Sequence, residues 1–308
     1  MSKDTMAQFP KEQGRRGEFV RQESVFRDHV RDVSDAPYPA VAGRYHLYVS
    51  YACPWAHRTI LYRRLLGLED AIGMTVVDPI RDERGWAFRE GRGHSKDPVN
   101  GFEYLSEAYR ASTDDFDGRV TVPVLWDKET KRVVNNESSD IIRMLGNEFR
   151  GVAKTWVDFY PEALRSEIDA LNQRIYDNVN NGVYRAGFAT SQEAYEDAVH
   201  SLFEVLDELD ARLADRPYLH GEQLTETDWR LFTTLIRFDP VYVGHFKCNV
   251  RRIADYENLS PYLRRLYQTE GVASTVDFDH IKRHYYITHR RLNPTGIVPV
   301  GPELSLGE

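Results

Sequence analysis

Tyr48-Val49-Ser50-Tyr51-Ala52-Cys53-Pro54-Trp55-Ala56-His57-Arg58 decides how the rest of the chain is read. Just before it, Tyr45, Leu47 and Val49 alternate with other residues, which predicts a half-buried strand over 44–49. After it, Ile60, Leu61, Leu65 and Leu66 recur with helical period. Pro54 suits a first helical position, where its missing N–H would have no intrahelical partner anyway. Cys53 therefore stands where a strand gives way to a helix N-terminus. Free N–H groups and the positive end of the helix dipole favour an anion there. For a cysteine that anion is the thiolate, the nucleophilic form.

The alternative for a lone cysteine is a small buried core residue. Its position argues otherwise: strand, Cys-Pro, helix resembles the active-site turn of the thioredoxin-like fold. The second cysteine of a Cys-x-x-Cys pair is replaced by Ala56, so no internal disulfide forms at this turn. A second thiol must come from outside, and glutathione is the obvious candidate.

The 308 residues suffice for two domains with their own cores. A hydrophobic content of 41% with 29% charged residues is globular, and a net charge of −8 offers no broad field for nucleic acid. Two cysteines, Cys53 and Cys248, exclude a secreted disulfide scaffold and fit a reducing cytoplasm. No apolar run reaches membrane-spanning length, and the N-terminus lacks a signal-peptide core. The 18 tyrosines and 5 tryptophans suit cores and interfaces, and also flat aromatic ligands.

Residues 1–43 read as a charged arm anchored by Phe19, Val20, Val25, Phe26 and Val30. Residues 44–150 carry the strand and helix, a Gly67 C-cap, a strand at Met74–Val77 and a long polar stretch from Arg81 to Asp117 with one short helix. A strand broken by Pro123 follows at 120–126, then a turn at 127–130, a hairpin partner at 132–134 and a helix opening near 135–140. This β-α-β-loop-β-β-α order is that of a thioredoxin-like domain. Residues 151–292 are helical throughout, with Leu202, Val205, Leu206, Leu209 and Leu213 on one stripe. Thr225 and Asp228 form a capping-box pattern before Trp229. Residues 293–308 form an irregular tail.

A thioredoxin-like domain followed by an all-helical one is the architecture of soluble glutathione transferases. The stretches Ala52–Arg58, Asn180–Ala189, Arg237–Asn249, His280–Tyr286 and Asn293-Pro294-Thr295 resemble the Xi class, the glutathionyl-hydroquinone reductases, from Phe19 to Pro299. The resemblance implies that Cys53 attacks the sulfur of a glutathione carried on a hydroquinone ring. The ring leaves reduced, and a second glutathione resolves the Cys53–glutathione mixed disulfide. Cysteine is the residue type that can hold such an intermediate. The same resemblance places Tyr184, Tyr242 and Tyr285 at the ring, where phenols donate hydrogen bonds and lie flat against a substrate; each could equally be a core tyrosine, and Tyr286 competes with Tyr285. For glutathione it implies a cis Val122–Pro123 offering backbone groups, and Glu137 and Ser138 at the γ-glutamyl end. Trp86 would pack on the peptide and Arg119 reach one of its ends. Ser138 could instead be a plain N-cap, and Trp86 and Arg119 lie in or beside the variable loop. A homodimer is implied as well.

His57 and Arg58, one helical turn beyond the cysteine, either tune the thiolate or are half-exposed helix residues. His245, Lys247 and Cys248 do not amount to a zinc site, since Cys248 has no cysteine at zinc-site spacing; no metal is expected. An omega-like thioltransferase or dehydroascorbate reductase would use the same cysteine, but the tyrosine set and C-terminal motif argue against it. A non-catalytic binding protein would not need Cys53, Val122-Pro123 and Glu137-Ser138 together. A conjugating transferase would gain nothing from a cysteine where free glutathione must attack.

Overall fold

A computed structural model describes residues 10–307. β1 (Tyr45–Val49) is flanked on both edges: β2 (Gly73–Val76) pairs with it in parallel and β3 (Val124–Asp127) antiparallel, and β4 (Arg132–Asn135) completes the order β2-β1-β3-β4. β1 is thus a central strand, and all five of its residues are buried rather than half-buried. Its polar positions are satisfied internally. His46 Nε2 is 2.8 Å from Thr75 Oγ1, and Tyr48 donates to Asp97 Oδ1 at 3.0 Å. Alternation in the sequence reports side-chain polarity, and burial of both faces came from these hydrogen-bonded partners.

α1 (Pro54–Leu65) begins on Pro54 and closes before Gly67, whose φ of +60° suits a residue without Cβ. α2 (Leu105–Ser112) packs against β4, and α3 (Ser138–Asn147) packs on α1. The strand expected from 120 starts only at Val124, after a cis Val122–Pro123 bond. Arg44 and Asp127 form a two-pronged ion pair at 2.8 and 2.7 Å at the end of the sheet, with Asp127 fully buried. These elements belong to one unit, residues 23–158 with 270–284.

The second unit holds residues 10–22, 159–269 and 285–307 among those described. α4 (Arg165–Ile175) runs through a π turn at Tyr176–Asn180 to α5 (Gly182–Gly187). α6 (Gln192–Arg212) carries the buried stripe Leu202, Val205, Leu206 and Leu209. α7 (Glu226–Arg237) starts with the expected capping box, where Asp228 accepts the Thr225 N–H at 2.8 Å, and ends in a second π turn at Phe238–Tyr242. α8 (Leu259–Gln268) and α9 (Phe278–Thr288) follow; α9 belongs to the first unit up to His284 and to the second from Tyr285. The tail after Asn293 is irregular among the described residues. In the N-terminal arm Phe19 and Val30 are buried and Phe26 packs edge-on to Tyr109. Val20 and Val25 are 52% and 63% exposed and anchor nothing, contrary to the pattern reading. Residues 1–9 of the arm lie outside the described residues.

Candidate active site

Cys53 is the N-cap residue of α1, half-buried, with an extended backbone and no side-chain bond to the helix N–H groups. Its Sγ lies 3.6 Å from the carbonyl oxygen of Val122, the residue before the cis proline. The Cys53 sulfur, a helix N-terminus and the backbone of Val122 before the cis proline are therefore adjacent. That is the combination an extended thiol-bearing peptide requires: backbone pairing along Val122 and a sulfur within reach of Cys53.

His57 and Arg58 are not half-exposed; they are 0% and 1% accessible. Thr275 gives its hydroxyl proton to Val272 O at 2.6 Å, so at 2.8 Å it accepts from His57 Nε2–H. The Arg58 guanidinium lies 4.6 Å from the Trp55 ring centre and donates to Ser138 Oγ at 3.3 Å. Ser138 is the first residue of α3, and the N-cap is Glu137, which accepts from Ser139 N at 3.1 Å. Ser138 is accordingly not the cap. Glu137 also accepts from the hydroxyls of Ser139 and Ser24, at 3.0 and 2.9 Å. A buried guanidinium, a hydroxyl and a helix N-terminus side by side suit a carboxylate, and the Glu137 carboxylate beside them suits an ammonium. Arg58 is the site residue the sequence reading undervalued. Its helical spacing of three from Trp55 was the available signal, since i,i+3 neighbours share a face.

Trp86 is buried, with its indole stacked on the His284 imidazole at 4.9 Å and 20°. His284 Nδ1–H donates to Pro79 O at 2.7 Å and so fixes the plane of that stack. Arg119 is half-buried in the loop leading to Val122, near Tyr109.

The three tyrosines come together in the second unit. Tyr285 is at the centre, its hydroxyl 2.6 Å from that of Tyr184 and 3.1 Å from that of Tyr242. Each is buried: Tyr184 6%, Tyr242 0% and Tyr285 1% exposed. Tyr286 instead gives its hydroxyl to Pro240 O, so of the adjacent pair it is Tyr285 that joins Tyr184 and Tyr242. α5 carries Tyr184, and the second π turn carries Tyr242. Tyr242, Phe246 and His289 form a near-parallel stack, and Tyr285 stands edge-on to all three. Gly187 is obligatory here because a Cβ would lie 2.2 Å from the Phe246 ring. Burial pushes the Tyr242 and Tyr285 phenols well above their ordinary value, and negative charge on Tyr184 would push them further.

The chain matches the glutathione S-transferase N-terminal domain model over residues 52–148 and the C-terminal domain model over 192–265. It is 51% identical to the glutathionyl-hydroquinone reductase PcpF of Sphingobium chlorophenolicum over 286 residues, 93% of this chain and 90% of that one. A Xi-class enzyme from Natrialba magadii superposes with a TM-score of 0.91 at 54% identity, covering 92% of this chain and 87% of the other. The chain belongs to the Xi-class glutathione transferases. A glutathione-bound structure of YqjG from Escherichia coli K-12 is likewise similar, with a TM-score of 0.89 at 50% identity over 92% of this chain and 94% of that one.

Cys248, His245 and His289 of this Xi-class protein are buried. Cys248 is fully buried with its thiol pushed up by burial, 3.8 Å from Phe246 O. His245 Nε2 lies 3.1 Å from His289 Nδ1, and burial, with Lys247 adding to it, lowers the His245 imidazole to about 4. Among the described residues no three His, Cys, Asp or Glu side chains gather as a metal site, and no helix is long and apolar enough to cross a membrane.

Proposed function

We propose that this glutathione transferase reduces glutathionyl-hydroquinones to hydroquinones through a Cys53–glutathione mixed disulfide. The Cys53 thiolate attacks the glutathionyl sulfur; the S–S bond forms, the carbon–sulfur bond breaks, and its electron pair passes to the ring carbon, which takes a proton. A second glutathione thiolate then attacks the mixed disulfide, releasing oxidised glutathione and restoring Cys53. The net change consumes one glutathionyl-hydroquinone and one glutathione and yields one hydroquinone and one oxidised glutathione.

The observation that carries this mechanism is Cys53 at the N-terminus of α1, 3.6 Å from Val122 O and without a cysteine at position 56. A serine or tyrosine there could polarise a thiol but not hold a disulfide. In this reading Val122 pairs with the cysteinyl backbone of glutathione. Glu137 takes the ammonium and Ser138, beside Arg58, the carboxylate of the γ-glutamyl end. Trp86 and Arg119 bound the remainder of the peptide. Tyr184, Tyr242 and Tyr285 are assigned the ring, where a phenol supplies the proton and hydrogen-bonds a ring oxygen; the 2.6 and 3.1 Å network favours that assignment over three unrelated core tyrosines. The two-cysteine composition supports action in a reducing cytoplasm. The protein acts as a homodimer in this proposal, and light scattering giving the mass of one chain at micromolar concentration would refute that part.

The test is to give purified protein a glutathionyl-hydroquinone with and without glutathione. With glutathione, hydroquinone and oxidised glutathione should appear in equal amounts. Without it, one turnover should leave a glutathionyl group on Cys53, seen by mass spectrometry. Absence of hydroquinone together with efficient dehydroascorbate reduction would place the chain with the omega-like thioltransferases instead.

A further inference from the structure

The tyrosine cluster receives a charge from the N-terminal arm. The guanidinium carbon of Arg21 lies 4.9 Å from the centre of the Tyr184 ring and 5.3 Å from that of Phe19. Arg21 Nε donates to Asn181 Oδ1 at 2.6 Å, and Asn181 is the residue on which α5, the helix of Tyr184, begins. The segment carrying Arg21 is itself fixed. Phe19 packs on Phe188 and Tyr184, Thr190 N–H donates to Gly17 O at 2.9 Å, and Ser191 Oγ donates to Arg16 O at 2.7 Å. The cation is therefore held against the Tyr184 and Phe19 rings by an amide at the start of Tyr184's own helix.

We infer that Arg21 is a positioning residue for ring release, its guanidinium on the face of Tyr184 stabilising the negative charge that forms when the phenol network gives a proton to the departing ring. When the carbon–sulfur bond breaks, its electron pair and a proton go to the ring carbon, and the donor is left as phenolate until solvent reprotonates it. Tyr285 and Tyr242 are poor places for that charge, being almost wholly buried. Tyr184 shares the short hydrogen bond with Tyr285 and has the Arg21 guanidinium against its ring. A guanidinium against a phenolate ring favours the anion over the neutral phenol, so it makes Tyr184 a stronger acid. Arginine suits this position because its flat, always-charged group can lie on a ring while still donating to Asn181.

The inference rests on Tyr184 acting at the ring. The experiment measures kcat and KM for a glutathionyl-hydroquinone in Arg21→Gln and Arg21→Lys, each made in the wild type and in Tyr184→Phe, with the thermal midpoint of each. Arg21→Gln should lower kcat about 3- to 30-fold, the range of a partly desolvated cation–π contact, and leave KM within about 2-fold. Arg21→Lys, which keeps the charge, should recover most of the loss. In Tyr184→Phe the Arg21→Gln change should have no further effect on kcat, because the group it acts through is gone. An equal fall in both backgrounds, a change in KM alone, or a Lys variant as impaired as the Gln variant at unaltered thermal midpoint would overturn the inference. If Tyr184→Phe loses rate but Arg21→Gln does not, the inference fails and the tyrosine assignment stands; if Tyr184→Phe keeps full rate, both fail.

Discussion

Tyr285→Phe removes one oxygen from the centre of the phenol cluster and nothing else. That oxygen has two hydroxyl partners, Tyr184 at 2.6 Å and Tyr242 at 3.1 Å, and the residue is 1% exposed. At about 0.5–1.5 kcal/mol net for each hydrogen bond, the variant should lose roughly 1–3 kcal/mol of stability. At about 2–4 °C per kcal/mol for a chain of this size, that is a fall of roughly 2–12 °C in thermal midpoint, which leaves the protein folded for assay at 25 °C. The chemical consequence is expected to be larger. A well-placed general acid is worth about 10²–10⁴-fold, and the phenyl ring left behind cannot relay a proton between Tyr184 and Tyr242. Glutathionyl-hydroquinone reduction should therefore fall by at least about 10²-fold. Exchange with a simple glutathione disulfide uses Cys53 and the glutathione groups but needs no proton delivered to a ring carbon; it should stay within about 3-fold of wild type, since no group it uses has changed. Both assays are run on the same preparation, with circular dichroism to check the fold. Parallel loss of both activities, or loss of neither, would show the cluster to be a packing feature.

Cys53→Ser should keep the fold and glutathione binding, measurable by calorimetry, and lose reduction, because a hydroxyl cannot carry the mixed disulfide; a serine variant with a large share of the wild-type rate would refute the nucleophile. Iodoacetamide should label native protein once, at half-buried Cys53, and reach Cys248 only after denaturation, since Cys248 is fully buried and its thiol is pushed up; peptide mapping decides it, and early labelling of Cys248 would contradict the packing. Asp127→Asn should cost about 1.5–3 kcal/mol, since Arg44 loses its two-pronged buried carboxylate and keeps only the exposed Glu129 as an ion-pair partner. Burial alone would raise the Asp127 carboxyl, but Arg44, the Thr130 hydroxyl and the Glu129 N–H outweigh it and hold it below 3.8. A carboxylate depressed in the folded state stabilises above its unfolded value, and that stability disappears as the pH falls through the folded one. Denaturant midpoints should therefore drop more steeply in wild type than in Asp127→Asn as the pH falls below about 4, and equal slopes would rule the pair out as an acid-sensitive tie.

The strand–Cys-Pro–helix seam was legible in the residues because each of its signals is local. Pro54 at a first helical turn, the apolar period after it and Gly67 at the helix end depend only on neighbours in the chain, and the folded protein places all three as read. The capping box at Thr225 and Asp228 is local in the same way. What the residues could not express is which polar side chains would be buried with a distant partner. His46 and Tyr48 read as the solvent side of a half-buried strand and are inside, because Thr75 and Asp97 come from other segments to bond them. Arg58 read as an optional helix cation and is a buried donor to Ser138, eighty residues on. Val20 and Val25 read as anchors, yet remain exposed. The two π turns leave no period in the sequence, but Tyr242 lies in one and Tyr184 follows the other. That Tyr285 rather than Tyr286 bonds Tyr184 likewise came only with the register of α9. A sequence fixes a residue's chemistry and its local conformational preference, whereas hydrogen bonding between segments a hundred residues apart, as between Tyr184 and Tyr285, is set by packing of the folded chain.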